Sequence, residues 1–431
     1  MASRAEAEPR GGAAAGKDGG PLGAALRFVL STKLYWGLAL LLLVGVLSSP
    51  VNSRGVNIFL SPGNLSNVLR QVSNNGMVAV GMTLVILTGG IDLSVGSILA
   101  LGSLLCAMLL TMEGWTSAAV ISIPVFGIVL LLMVARIVPA IGASWATPRT
   151  APRNLRTIGV VIGVVVAALA MWWAAAMLPG KFGVAGVLAV VPPVGLALGA
   201  LNGFIIAKGR LQPFIVTLAM MVGILGVARL VTGQDQSVVP VYAGTNATED
   251  IQLLRALLWG VLPIPGLFFL AACAIFAVLL GTTTFGRYVY AIGGNEQATR
   301  LAGVAVDRVK IAVYGLSGML ASLAGVLYTA QYLQGKPDAG EGIELDAIAA
   351  VVIGGTSLMG GKGSMGGTLV GVLIFGFLSN ILQLNNIDSN TQLVLKGAII
   401  LAAVLLQEGQ AGHLMGQLRS LVRRSPPGPP A

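Results

Sequence analysis

Long unbroken apolar runs, separated by short polar stretches, set the pattern of this chain. They predict spans at roughly 34–50, 66–89, 93–111, 117–135, 157–178, 184–207, 213–232, 263–283, 310–330, 344–360, 365–384 and 391–407. Each is about long enough to cross a ~30 Å hydrocarbon core. The ~10-residue alternating segments of a membrane β-barrel are missing. The expected fold is therefore all-α, a polytopic membrane protein of about ten to twelve transmembrane helices. Residues 1–33 read as a disordered tail rich in Ala, Gly and charge, 34–407 as the membrane domain, and 408–431 as a second tail. Lys33 abuts LYWGLALLLLVGVLSS, which fits either a cleaved signal peptide or a signal anchor. The many spans that follow, and the lack of a convincing cleavage site, favour the anchor.

Composition agrees with that picture. Of 431 residues 55% are hydrophobic and only 10% charged, against roughly 25% charged in a soluble domain. The formal charge of +10 raises the question of nucleic acid, and its distribution answers it. With the N-terminus placed in the cytoplasm, nineteen basic residues fall on inner segments and five on outer ones. That bias puts both termini inside the cell and accounts for the basic character without nucleic acid. Cys106 and Cys273 lie in apolar runs, and His413, the one histidine, lies in the C-terminal tail. A metal centre, a disulfide framework or a histidine-based catalytic triad has little raw material here. No catalytic residue, metal or cofactor is expected.

Three motifs remain. The first, GKGSMGG from Gly361, formally contains G-x-G-x-x-G but is flanked by two spans instead of a strand and a helix. It reads as a flexible turn, so any ATP must be bound by a partner. The second, GGNEQATRLAGV, carries helix signals: Asn295 as N-cap, Glu296 in the first turn, Arg300 late and Gly303 as a stop. A short capped helix on the inner loop 284–309 suits docking into a soluble partner; it lacks the large apolar face of a lipid-lying helix. The third is LTGGIDLSVGS, where Asp92 and Arg70 are the only charged residues between Asn64 and Met112. A carboxylate costs roughly 2.5–3.5 kcal/mol at the centre of a membrane helix. Two readings of Asp92 stand: an N-cap at a helix break after Gly89-Gly90, or a contact to cargo in a transport path. Gly342-Ile343-Glu344-Leu345 echoes Gly90-Ile91-Asp92-Leu93 and raises the possibility of an inverted repeat. Small residues, such as ASLAG at 321–325 and the glycines near 367–371, predict close helix packing.

The stretches MVAVGMTLVILTGGIDLSVGS, KGRLQPFIVTLAMM, FGRYVYAIGGNEQATRLAGV and IELDAIAAVVIGGTSLMGGKGS resemble the permease subunits of ATP-binding-cassette sugar importers. The similarity is to the branch serving ribose, xylose, arabinose and galactose, over about residues 35–135 and 184–407. It implies a homodimeric pore in the bacterial inner membrane. It also implies a cytoplasmic ATPase and an extracytoplasmic binding protein delivering a monosaccharide, ribose-like by preference. Gly294, Asn295, Glu296, Gln297, Ala298, Thr299 and Arg300 would then form the coupling helix. Thr88, Gly90, Asp92, Ser94, Glu344 and Asp346 would lie at helix breaks or along the pathway. The chain departs from the family at its long N-terminus and at about 136–183, which reads as an inserted segment and argues against a xylose-type relative. The rival reading from residues alone is an ion-gradient-driven transporter of a small polar solute.

Overall fold

The computed structural model describes residues 33–112, 127–132, 155–177, 182–233 and 238–407. Both predicted tails, most of the 117–135 span and much of the 136–183 segment lie outside the described residues. In chain order come α1 (Lys33–Ser48), α2 (Pro62–Leu87), α3 (Val95–Thr111), α4 (Leu155–Met177), α5 (Val184–Gly209) and α6 (Pro213–Thr232). Next are β1 (Val239–Pro240), α7 (Ile251–Arg255), β2 (Leu257–Leu258), β3 (Leu262–Pro263) and α8 (Ile264–Thr282). The short helices α9 (Thr284–Gly294) and α10 (Glu296–Leu301) lead into α11 (Val306–Tyr332) and β4 (Gln334–Gly335). The chain closes with α12 (Ile343–Ile353), α13 (Met365–Leu384) and α14 (Ser389–Gln407).

Among the described residues, five helices are long and apolar enough to cross a membrane on their own: α5, α6, α8, α11 and α13. Helix α2 is as long as α5 but less apolar, because it is the central helix and faces protein. Every residue from Met77 to Leu87 is buried. Its polar positions are answered across the bundle. Asn74 donates to Gln331 of α11 at 3.0 Å, Thr83 and Thr368 of α13 share a bond of 2.7 Å, and Asn64 pairs with Asn380. Lipid offers such groups no partner, so α2 depends on its neighbours for satisfaction.

The most extensive helix packing is between α5 and α11. Gly195, Gly199 and Gly203 repeat every four residues and so share one face of α5. A Cβ at Gly199 would sit 2.1 Å from the carbonyl oxygen of Tyr314, and one at Gly318 would sit 2.2 Å from that of Gly195. The predicted small-residue packing recurs at Gly325, whose Cβ would meet the Leu99 oxygen at 2.3 Å, and at Gly371, which lies as close to Ala350. Where apolar attraction between helices is weak, backbone approach of this kind holds the bundle.

Most predicted spans match a helix to within a few residues; 344–360 does not. Helix α12 has 11 residues, about 16 Å of rise, too short for a ~30 Å core. Gly354 and Gly355 end it, the latter at φ +88°, although the apolar run continues. On the other side of α12 the chain continues as a run of turns, with Ala339, Glu341 and Ile343 each donating its N–H to the carbonyl three residues earlier. Gly335 packs against Ser103, Leu104 and Ala107 of α3, and Gly340 packs against Gly96. Between those contacts the backbone runs antiparallel to α3 over about 10 Å. Irregular backbone at that depth is tolerated where protein or a cavity covers it. At the end where this segment begins, β1 pairs antiparallel with β4. There α7 and the β2–β3 hairpin form a cap, with Val241, Ile251 and Leu254 buried beneath it.

Candidate functional site

At the opposite end, α9 and α10 form the capped turn that the sequence anticipates. Asn295 accepts the Ala298 N–H at 2.9 Å, Glu296 and Arg300 occupy the first and last turns, and Gly303 ends the helix at φ +84°. Six helical residues give a rod of about 9 Å, shorter than the motif suggests. Thr299 is buried and donates to the Asn295 carbonyl at 2.7 Å. A chain of ion pairs fastens α10 to the bundle. Lys310 meets Glu296 at 2.6 Å, Glu296 meets Arg300 at 3.3 Å, Arg300 meets Asp307 at 2.9 Å, and Asp307 meets Lys208 at 3.0 Å. Partial burial pushes the Glu296 carboxyl up, but Lys310 and Arg300 outweigh it and hold the group below its ordinary range.

The turn carrying GKGS is more than a flexible link. Gly361 donates its N–H to the Leu87 carbonyl at 3.0 Å, and Tyr290 donates to the Gly363 carbonyl at 3.0 Å. Gly293 lies so close that a Cβ there would be 1.9 Å from the same Leu87 oxygen. Gly360 and Gly361 adopt φ +84° and +71°, angles open to glycine and costly for other residues. The end of α2, the end of α9 and this turn therefore form one junction. Beside it, Leu301 and Met359 are 89% and 79% exposed, two apolar side chains that the motif reading did not single out. Exposure of a residue between spans cannot be read from its identity.

Five residues past Leu87 comes Asp92, at the centre of a second joint. Thr88 caps α2 through backbone bonds, Gly89 turns the chain at φ +77°, and Gly90 packs on the Tyr314 hydroxyl. The N-cap of α3 is Ser94, not Asp92, which corrects the expected cap by two residues. Asp92 instead accepts the Ser94 N–H at 3.0 Å and hydroxyl at 2.6 Å on one oxygen, and the Ser317 hydroxyl at 3.2 Å on the other. Asn202 of α5 donates to the Ser94 hydroxyl at 2.7 Å. Asp92 and Ser94 are fully buried. The carboxylate thus ties the helix break to α5 and α11, and three donated bonds offset its burial.

Glu344 and Asp346 lie elsewhere, on either side of α12. Asp346 is paired with Lys396 of α14 at 2.9 Å and approached by the Asn75 amide at 3.4 Å, in a cleft of about 60 Å³. Glu344 borders a larger cavity of about 290 Å³ between α3, α6 and the turns before α12. The six predicted pathway residues therefore fall in three places: the buried joint, the paired cleft and the cavity. Among the described residues, no group of three or more His, Cys, Asp or Glu side chains is placed to hold a metal ion.

Known proteins give this geometry a setting. A family profile described as the permease component of branched-chain amino acid transport systems matches residues 154–404. The chain is 40% identical to the ribose import permease protein of Escherichia coli K12 over 377 residues, 86% of this chain and 91% of that protein. It is 39% identical to the ribose import permease protein of Bacillus subtilis 168 over 351 residues, 81% and 85% of the two chains. Against the xylose transport system permease protein of E. coli K12 the identity is 33% over 368 residues, covering 80% and 85%. No solved structure matches significantly. The multi-pass bundle, with its broken helices and capped end-loop, belongs to this family of transport-system permease components, which carry solutes and are not enzymes.

Proposed function

We propose that the chain is the membrane permease of an ATP-binding-cassette importer for a monosaccharide, ribose in the first instance. The observation that carries the reading is the capped α9–α10 turn joined to the end of α2, on a chain 40% identical to a ribose permease over 86% of its length. A partner ATPase binds Gly294–Arg300 from the cytoplasm, with Leu301 and Met359 offering it apolar contact. Closure of that ATPase moves α10, and the Gly293–Leu87–Gly361 junction passes the displacement to the Thr88–Ser94 joint and hence to α3. An extracytoplasmic binding protein delivers sugar to the opposite end, where the β1–β4 and hairpin cap lies. Two copies of the chain enclose the path, both termini lie in the cytoplasm of a bacterial inner membrane, and residues 136–183 are an insertion into the family pattern. The greater identity to the ribose proteins than to the xylose protein favours ribose. A gradient-driven mechanism finds no support: the one carboxylate at the buried joint is committed to three donors.

The test is ATP hydrolysis in nanodiscs by this chain co-expressed with the ATPase encoded beside it. The rate is compared with and without the neighbouring binding protein loaded from a panel of pentoses and hexoses. Stimulation by ribose-loaded protein is the expected result. Co-purification without stimulation by any sugar would overturn the cargo, and failure to co-purify would overturn the importer.

A further inference from the structure

The cavity beside Glu344 has a lining that Asp92 and the paired Asp346 cleft lack. Its floor is the first turns of α3, with Gly96, Ser97 and Ala100. One wall is a single face of α6, where Met221, Leu225 and Arg229 recur every four residues. The other wall is the run of turns from Pro337 to Gly342 and the first turn of α12, which carries Glu344. The floor exists because two glycines meet: a Cβ at Gly96 would lie 2.4 Å from the Glu344 carboxylate and 2.5 Å from the Gly340 carbonyl oxygen. Directly behind that floor sits the closed Asp92 joint, four residues earlier in the chain.

The chemistry of the lining selects a class of ligand. Asp338 is already paired with Lys336 at 3.1 Å. Among the described residues, Glu341, Glu344 and Arg229 have no ion-pair partner, so two acceptors and one donor fork face a shared space. The carboxylates do not gather into a metal-binding group, and a cation would also meet the guanidinium. A neutral polyol suits both signs: its hydroxyls donate to carboxylates and accept from arginine. Its C–H face can rest on Met221, Leu225, Ala100 and Pro337. A volume of about 290 Å³ lies at the small end of ligand pockets. We propose that this cavity is a monosaccharide subsite within the permease itself, with Glu344 and Glu341 accepting sugar hydroxyls and Arg229 donating to one. The subsite rests on the importer reading for its place in a cycle, and supplies that reading with an intermediate station above the closed joint.

The test uses the permease–ATPase complex in nanodiscs with Met221→Cys as a reporter. The native Cys106 and Cys273 are buried, so a membrane-impermeant thiol reagent reads the introduced thiol. Ribose is expected to slow modification in a saturable way. Adding Glu344→Gln is expected to raise the half-protecting concentration about tenfold, the loss of a hydrogen bond to a charged group. Glu341→Gln, on the opposite side of the Gly342 turn, gives a second reading should Glu344→Gln disturb assembly. Wild-type ribose uptake into proteoliposomes is measured in parallel. Uptake without any protection overturns the subsite and leaves the importer standing. Protection without uptake upholds the subsite and removes the importer. Protection equally strong in both Gln variants overturns the assigned carboxylates.

Discussion

Gly90–Leu93 and Gly342–Leu345 differ at one position of four, yet the chain builds two different joints from them. At the first, the acidic residue precedes the helix N-cap by two and is fully buried, its carboxylate accepting three internal hydrogen bonds. At the second, the acid sits inside the first turn of α12 and lines an open cavity. The glycines differ too. Gly342 holds φ +79°, whereas in the first joint the turn falls on Gly89, one residue before the echoed Gly90. A shift of one residue in the turning position is enough to send one carboxylate into the core and leave the other facing a space. The lesson is that an acid in an apolar run marks a break in the helix; its packing decides whether that break is a tie or a site.

The contrast is sharpest in stability. Asp92→Ala strands the Ser94 N–H and the Ser317 hydroxyl in a buried setting, which costs about 3 kcal/mol or more at roughly 1–3 per orphaned group. Glu344→Ala breaks no ion pair among the described residues, and its stability effect is expected below about 1 kcal/mol. Thermal melting of the detergent-solubilised variants checks both, and equal melting temperatures would erase the distinction between the two joints. Gly96→Ala attacks the contact that brings the joints together. The added methyl falls 2.4 Å from Glu344 and 2.5 Å from the Gly340 backbone, an overpacking worth about 1–3 kcal/mol. A smaller drop in melting temperature than for Asp92→Ala is expected, with sugar protection at Met221→Cys lost alongside it. Unaltered protection would show that the floor is soft.

Much of this architecture is legible in the residues, and the exceptions have physical causes. Span positions follow from apolar length, and the α10 cap follows from Asn295 and Glu296, because both signals are local. The break at Gly89-Gly90 is legible for the same reason. The short α12 was hidden by an apolar run that continues past Gly354-Gly355, where the backbone turns but hydropathy does not. Arg229 and Glu341 join Glu344 only because the turns before α12 pack along α3, a long-range contact with no local signature. The role of Gly360–Gly361 was likewise masked: composition says flexible turn, while the bond to Leu87 depends on where α2 ends. The Gly195–Gly199–Gly203 spacing is local, but its partner Gly318 lies far along the chain, so the spacing alone does not show which helix it meets.

Between the joints and the partner stands α10, where smaller effects are expected. Arg300 is held by Glu296 and Asp307, so charge reversal would gather three carboxylates and unsettle the helix itself. Arg300→Gln is the cleaner change. It should leave the melting temperature nearly unmoved while co-purification of the ATPase falls several-fold. A large loss of melting temperature instead would assign Arg300 to holding the bundle, not to the docking surface.

The last and smallest effect concerns protons. Glu296 titrates below its ordinary value because Lys310 and Arg300 favour its charged form over the opposing effect of burial. A carboxyl with a depressed folded value contributes stability above its unfolded value, near pH 4.3, and that contribution vanishes as pH falls through the lower folded value. The α10 turn should therefore hold its hydrogen-exchange protection, corrected for intrinsic rate, across neutral and mildly acidic pH. Loosening should begin only below about pH 4. Glu296→Gln removes the titrating group and with it the acid step, leaving α10 modestly less protected at neutral and mildly acidic pH and level with wild type once Glu296 is protonated. Loosening near neutrality would mean that the Glu296–Lys310 pair does not hold α10, and that the junction to Leu87 carries the turn alone.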